Sequence, residues 1–431
     1  ADILRARFSR EAMSGPITAV HAEVYQSWVN HLMDNYSLRT PPSPMMMMKA
    51  PSTSRTSGGN FKLDMPIAGT TWTVGVDMLN NDKDANRYNV SSGSNVLNSV
   101  LWPGVSIYQT GLFAQSGLIP LNKDNGFKIG LRYDYVSADA SRANVKPAGM
   151  AWSPNQLYTA YYGTTAEKKD ENNIGGLLRF EHAVSNGVLY AGYARSVRTA
   201  DATERYIASN SMTPDGRWVG NPDLRPEKHN QFEAGAKLGR GKLAVNGSVF
   251  YDQVQDFILR DRFHSTDPTL GNATIYRNVG AQLYGTNLGA VWKPVRGWKA
   301  GFNMSYVAAT NTDDNRPIAQ IPPLGGDVSL EYRPGRWYAG GKMIWNATQT
   351  RVDDNPNTGS GLDVGQTPGW SIMNVYGGVA VTRHVMARAG IDNLFNRNYA
   401  NHLNKASAFD VTQVQVNEPG RVAWVRLSAQ F

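Results

Sequence analysis

Glu418-Pro-Gly-Arg-Val-Ala-Trp-Val-Arg-Leu-Ser-Ala-Gln-Phe431 decides the fold class. After the Pro-Gly turn, Ala423, Val425, Leu427, Ala429 and Phe431 alternate strictly with Trp424, Arg426, Ser428 and Gln430. A period of two belongs to a β-strand with one apolar and one polar face. The sequence stops on that strand, at an aromatic residue. In water such a terminus is a sticky edge. A barrel in an outer membrane gives it a purpose, because the last strand closes against the first.

Outward from this stretch the same alternation recurs. Trp298, Ala300, Phe302, Met304 and Tyr306 oppose Lys299, Gly301, Asn303 and Ser305. Leu243, Val245, Gly247, Val249 and Tyr251 oppose Ala244, Asn246 and Ser248, and Phe232, Ala234, Ala236 and Leu238 oppose Gln231, Glu233 and Lys237. The pattern predicts roughly seventeen strands. Short turns at Ser185-Asn-Gly187, Gly239-Arg-Gly241, Pro294-Val-Arg-Gly297, Arg333-Pro-Gly335 and Thr382-Arg-His384 alternate with long polar connectors at about 34–56, 80–103, 141–170, 199–224, 352–366 and 400–417. Short turns on one side and long loops on the other are the periplasmic and extracellular ends of an outer-membrane barrel. Trp292, Trp298, Tyr332, Trp337, Trp370 and Tyr376 near strand ends read as interfacial girdles. The expected fold is therefore all-β, a transmembrane antiparallel barrel.

Composition agrees. Of 431 residues, 41% are hydrophobic and 10% aromatic but only 18% charged, with 42 glycines, and the mean hydropathy is −0.41. No run approaches the roughly 18 apolar residues of a spanning helix. A polar average with many aromatics suits strands whose alternate residues face water. The absence of cysteine excludes thiolate ligands, catalytic thiols and disulfides from this sequence. The net charge of +8 is spread without a block of five like charges and with no nucleic-acid-binding motif, so it suits lipid headgroups or the lumen rather than nucleic acid.

Two blocks resemble a known family. Asn221-Pro-Asp-Leu-Arg-Pro-Glu-Lys-His-Asn-Gln-Phe-Glu-Ala-Gly235 with Phe250-Tyr-Asp-Gln-Val-Gln-Asp-Phe-Ile258 looks like a strand pair of TonB-dependent outer-membrane receptors, and Asp392-Asn-Leu-Phe395, Tyr399 and 418–431 resemble that family's C-terminal box. Val29-Asn-His-Leu-Met-Asp-Asn-Tyr-Ser-Leu-Arg39 with Pro44-Met-Met-Met-Met-Lys-Ala-Pro51, and Tyr399-Ala-Asn-His-Leu-Asn-Lys405, are similar to the copper receptors of the family. The resemblance implies a barrel of about 22 strands with a plugged lumen. About 16–17 of those strands are expected here, as one barrel domain over residues 1–431 that is N-terminally incomplete and without a plug. It also implies copper uptake across the outer membrane of a Gram-negative bacterium, driven through the plug by the inner-membrane TonB energy-transducing complex.

His31 and Met33 are the leading candidates for ligands. On the expected strand 18–33 they share a face with His21, Glu23, Tyr25 and Ser27. An imidazole and a thioether suit copper, Cu(I) especially, and hold Mg²⁺ or Ca²⁺ poorly. On spacing alone, a polar-face histidine beside a packed methionine is the commoner meaning; the resemblance to copper receptors favours the ligand pair. Met45, Met46, Met47 and Met48 are a weaker set, either scavenging thioethers or apolar loop filler. His384-Val-Met386 repeats the spacing at a turn and reads as incidental, and His402 as polar surface. His21 and Glu23 are compatible with acid/base chemistry, but no G-x-S-x-G, H-E-x-x-H or Walker loop accompanies them, so an enzyme and a catalytic cofactor are not expected. The alternatives are a siderophore or haem receptor, recognising cargo with Arg and aromatic loops, and a passive porin-like channel.

Overall fold

The computed structural model describes all residues except Arg39, Pro42, Pro44, Met45, Ser92, Gly93, Met150, residues 406–414 and Phe431. Among the described residues there are 21 strands: seventeen of eight residues or more and four two-residue pieces. The long ladders described are antiparallel, and Trp218 and Thr274 form a parallel bridge. The expected all-β strand pattern is thus present. The backbone falls into two compact units, Ala1–Arg179, Ala194–Asn230 and Val254–Gly280, and Phe180–Tyr193, Gln231–Gln253 and Ala281–Phe431.

In the first unit, β1 (Asp2–Arg10), β2 (Ala19–Asp34), β3 (Met48–Ile67), β4 (Thr70–Ser91), β5 (Ser94–Ser116) and the strand Asn125–Ala140 pair in succession. Ala68 and Gly69, at φ +48° and +76°, make the two-residue turn between β3 and β4. Positive φ at both positions is the type I′ geometry that matches strand twist. One face of the sheet presents Phe61, Leu63, Val74, Val76, Leu112 and Leu131. Leu112 is 58% exposed and Leu131 69%, an arrangement that forfeits about 2 kcal/mol per side chain in water and suits a hydrocarbon band. The opposite face carries Asp77, Arg132 and Asp134, with Arg132 bidentate on Asp77 at 2.7 and 2.8 Å.

The connector expected at 80–103 is largely strand, and that expected at 34–56 is strand from Met48 onward. β3, β4 and β5 run for 20, 22 and 23 residues. The outer ends of β3 and β4 carry polar residues on both faces, as at Thr53, Ser54, Arg55, Asp82 and Lys83, whereas β5 buries Ser99 and Val100 there. Backbone pairing needs no apolar alternation once both faces are in water, so periodicity ends before the strand does.

Two other connectors hold short helices. Helix α1 (Pro154–Tyr162) starts at Ser153 with a capping box to Gln156 and ends at Gly163, φ +71°; α2 (Ala202–Tyr206) is capped by Asp201. They bury Leu157, Tyr158 and Tyr206 against Val105, Ala138 and Val219. The Tyr158 hydroxyl donates to the Tyr206 carbonyl at 2.7 Å, and burial pushes its pKa well above the ordinary value. These loops are a packed layer with a core of their own.

In the second unit the strands Trp298–Asn311, Gly325–Tyr332, Trp337–Asn346, Trp370–Ala380, Val385–Asp392 and Val422–Ala429 pair in succession. Val328, Leu330, Val425 and Leu427 are exposed on one face, and Asp327 pairs with Lys342 at 3.3 Å on the other. Trp298, Tyr332 and Trp337 stack at 4.7 and 5.8 Å beside the short turns, as a girdle should. Trp370 and Tyr376 do not belong to it. Trp370 is buried and stacked on Tyr399 at 4.3 Å, and Tyr376 lies over Gly340 on the polar face. Phe431 lies outside the described residues.

Candidate functional site

β2 and β3 pair without a register shift from Ala19 opposite Asp64 to Asp34 opposite Lys49. His31 therefore stands opposite Ser52, and Met33 opposite Ala50. Two small partners leave space in front of the longer side chains. Both candidates are exposed, Met33 to 54%. Alternation puts Met48 on the same face as Ala50 and Ser52, so it is the diagonal neighbour of Met33, about 7–8 Å away between backbones.

Asn35 fixes this end of the hairpin. Its side chain donates to the Met46 carbonyl at 2.9 Å and accepts from the Met48 N–H at 2.8 Å, while the Val90 N–H donates to the Met47 carbonyl at 2.8 Å. The four consecutive methionines are thereby sorted. Met48 joins β3 beside Met33, Met47 takes the alternate position, Met46 is 53% exposed, and Met45 lies outside the described residues. One imidazole and two thioethers share a face, a borderline and soft donor set. Among the described residues no group of three His, Cys, Asp or Glu is arranged to hold a metal.

Further along this face of β2, Glu23 and His21 are both partnered. Glu23 is held by Arg7 and by Arg5 at 3.5 Å. His21 meets Ser9 Oγ at 2.7 Å through Nδ1 and stands 3.7 Å from Asp64 through Nε2. A carboxylate between two guanidiniums is a poor general base, so these residues build wall rather than chemistry. In Leu224-Arg225-Pro-Glu227, Glu227 accepts two bonds of 2.7 Å from Arg198 and one of 2.7 Å from the Ile258 N–H, while Arg225 bonds Asp256. The motif ties neighbouring strands of the first unit together.

His402 departs from the sequence reading. It is 2% exposed rather than surface, bonded to Thr367 through Nδ1 at 2.8 Å and 3.4 Å from Asp363 through Nε2. Burial pushes the Asp363 carboxyl up, but the contact with His402 and the bonds from the Asp353 and Gln320 N–H groups outweigh it and hold its pKa below the ordinary value. Arg316 is bidentate on the adjacent Asp353 at 2.9 and 2.8 Å. His384 sits in an exposed turn whose N–H donates to Thr382.

Residues 17–394 match the family model of TonB dependent receptor-like β-barrels. Over 316 residues the chain is 22% identical to the ferric-pyoverdine BN7/BN8 receptor of Pseudomonas putida, a match covering 63% of this chain and 36% of that protein. Among solved structures it is similar to the copper transporter OprC, with a TM-score of 0.86 and 28% identity over 100% of this chain and 67% of that one. Its likeness to the ferric yersiniabactin uptake receptor FyuA from Yersinia pestis has a TM-score of 0.69 at 13% identity, covering 100% of this chain and 61% of that one. The chain thus spans about a third of the curated relative and about two thirds of these solved structures.

Proposed function

This chain belongs to the TonB-dependent receptor-like β-barrel family, whose members are outer-membrane transporters rather than enzymes, and we propose that it forms the barrel wall and loops of a receptor taking up copper. The protein would sit in the outer membrane of a Gram-negative bacterium, its apolar band against lipid. Copper is cargo here, with no catalytic cofactor, and uptake would be powered by the inner-membrane TonB complex acting through the part of the receptor that fills the lumen.

One observation carries the choice of cargo: the exposed His31 and Met33 share a face with the half-buried Met48 on the loop side of β2 and β3. Thioethers favour Cu(I) and make a weak set for oxygen-seeking cations. The likeness to OprC over the whole chain supports the same reading. Three donors on one wall leave room for ligands from elsewhere in the receptor.

A ferric-siderophore receptor is the second reading, favoured by the match to the ferric-pyoverdine receptor. Titrating the intact receptor with Cu(I), Cu(II) and ferric pyoverdine decides between them. Copper uptake predicts tight metal binding weakened in both His31→Ala and Met33→Ala. Unchanged copper affinity in both variants would discard the site, and binding of the ferric chelate without copper would favour the second reading.

A further inference from the structure

Segments 347–369 and 400–405 of the second unit meet at the His402 imidazole. Its side chain and that of Asp363 are 1% and 0% exposed, so their proton positions cannot be averaged by water. The surrounding hydrogen bonds fix them. Gln415 Nε2 lies 2.7 Å from the His402 carbonyl and 3.4 Å from that of Asn404. The amide nitrogen must face those two oxygens, leaving Oε1 toward the Thr367 hydroxyl at 3.2 Å. An amide oxygen only accepts, so Thr367 gives its single proton to Gln415. Thr367 Oγ1 then accepts from His402 Nδ1, 2.8 Å away.

This leaves Nε2, 3.4 Å from Asp363 Oδ1 and without a well-formed hydrogen bond. A bare Nε2 would set its lone pair against a buried carboxylate, a costly arrangement. A proton on Nε2 makes the same contact an ion pair. Asp363 is arranged to remain an anion, accepting the Gln320 N–H at Oδ1 and the Asp353 N–H at Oδ2, both at 2.9 Å. Behind it Asp353 is neutralised by Arg316. Glu418 is held by the Asn401 and Asn404 side chains, and Lys405 points to Gln320 Oε1 at 3.4 Å. Arg351 bonds Thr310. Among the described residues, the charge in ion-pair contact with the ring is Asp363.

We infer that His402 is held as an imidazolium and that its Nε2 proton is a latch joining 400–405 to 347–369 through Asp363. Loss of that proton opens the latch: the carboxylate keeps its two backbone bonds, and the imidazole segment loses its charge partner. The loops of this unit are therefore proton-responsive, independently of the cargo carried.

The test follows hydrogen exchange at the Asn404 and Val416 amides, which bond the Asn401 and Lys405 carbonyls of the imidazole segment, with ¹⁵N shifts of the His402 ring, in the full-length receptor over about pH 5 to 8, where imidazoles titrate. A doubly protonated ring is expected at the acidic end, with protection of both amides falling by about tenfold or more as the ring becomes neutral. In His402→Gln and in the isosteric Asp363→Asn that step should vanish. A neutral ring with full protection at the acidic end, or the same step in both variants, would overturn the latch. The wild-type titration alone decides the ring's state if a variant does not fold.

Discussion

Trp424 lies across Gly390 in the last hairpin, so close that a Cβ at position 390 would stand 2.5 Å from the Trp424 ring. The same arrangement recurs on the polar face of this unit, with Tyr376 over Gly340 and Tyr338 over Gly378. Large rings lie flat because the facing residue has no side chain. Gly390→Val should therefore force the ring off its position and cost about 1–3 kcal/mol. Urea unfolding of the receptor in lipid vesicles measures it, and Ala at 390 should fall between glycine and valine.

The exposed apolar face predicts an asymmetry between adjacent residues. Val328 is 47% exposed on the apolar face, and Ser329 faces the other way, opposite Lys342. Val328→Arg should cost up to about 2–4 kcal/mol, as charges do on the lipid side of a barrel, whereas Ser329→Arg should be tolerated. Equal losses in vesicle unfolding would show that the faces are misassigned.

Within the methionine run the expected order of effects is positional. Met48→Ala should weaken copper binding because Met48 adjoins Met33 across the β2–β3 ladder. Met47→Ala, on the alternate face, should leave it nearly unchanged. Loss of a donor should cost at least the 10–100-fold typical of disturbing a ligand's support, read by competition with a Cu(I) chelator.

Acid should loosen the 347–369 segment. The Asp363 carboxyl is held below its ordinary pKa of 3.8 despite burial. A carboxylate so depressed adds stability above its unfolded-state pKa, and loses it as pH falls through the folded value. Hydrogen exchange at Ser360, whose N–H bonds the neighbouring Asp353, should stay slow at mildly acidic pH and rise below the ordinary carboxylate range. Asp363→Asn should lack that acid transition.

The packed loop layer makes a prediction of its own. Ser153 caps α1, whose Leu157 and Tyr158 are fully buried. Ser153→Ala should cost about 1 kcal/mol, and Leu157→Ala about 2–5 kcal/mol. Proteolysis within residues 141–170 should be faster in the second variant, with the membrane band unaffected.

The strands that cross the apolar band were legible in the sequence because their signal is local. Alternation in Trp298–Asn311 or in Val422–Ala429 needs only the next residue along the chain, and the Gly-rich turns are punctuation of the same kind. The long outer ends of β3 and β4 were hidden, since a strand wet on both faces has no apolar period, and that of β5 because the consecutive Ser99 and Val100 are both buried. Helix α1 was hidden in part, although Ser153-Pro-Asn-Gln156 carries the spacing of a capping box. Met48 left only a partial trace: the alternation Ser52, Ala50, Met48 puts these three on one face of β3, but which residues of β2 stand across from them depends on the pairing register.

The sequence by itself determined an all-β chain with one apolar and one polar face, its family resemblance, and the shared face of His31 and Met33. All of these depend on residues close together along the chain. Tertiary structure alone decided that Met48 stands beside Met33, that Trp370 and Tyr376 leave the girdle, and that His402 is buried against Asp363. Each depends on which distant segments pair and in what register. A shift of one residue turns every side chain to the opposite face, and local periodicity carries no record of it.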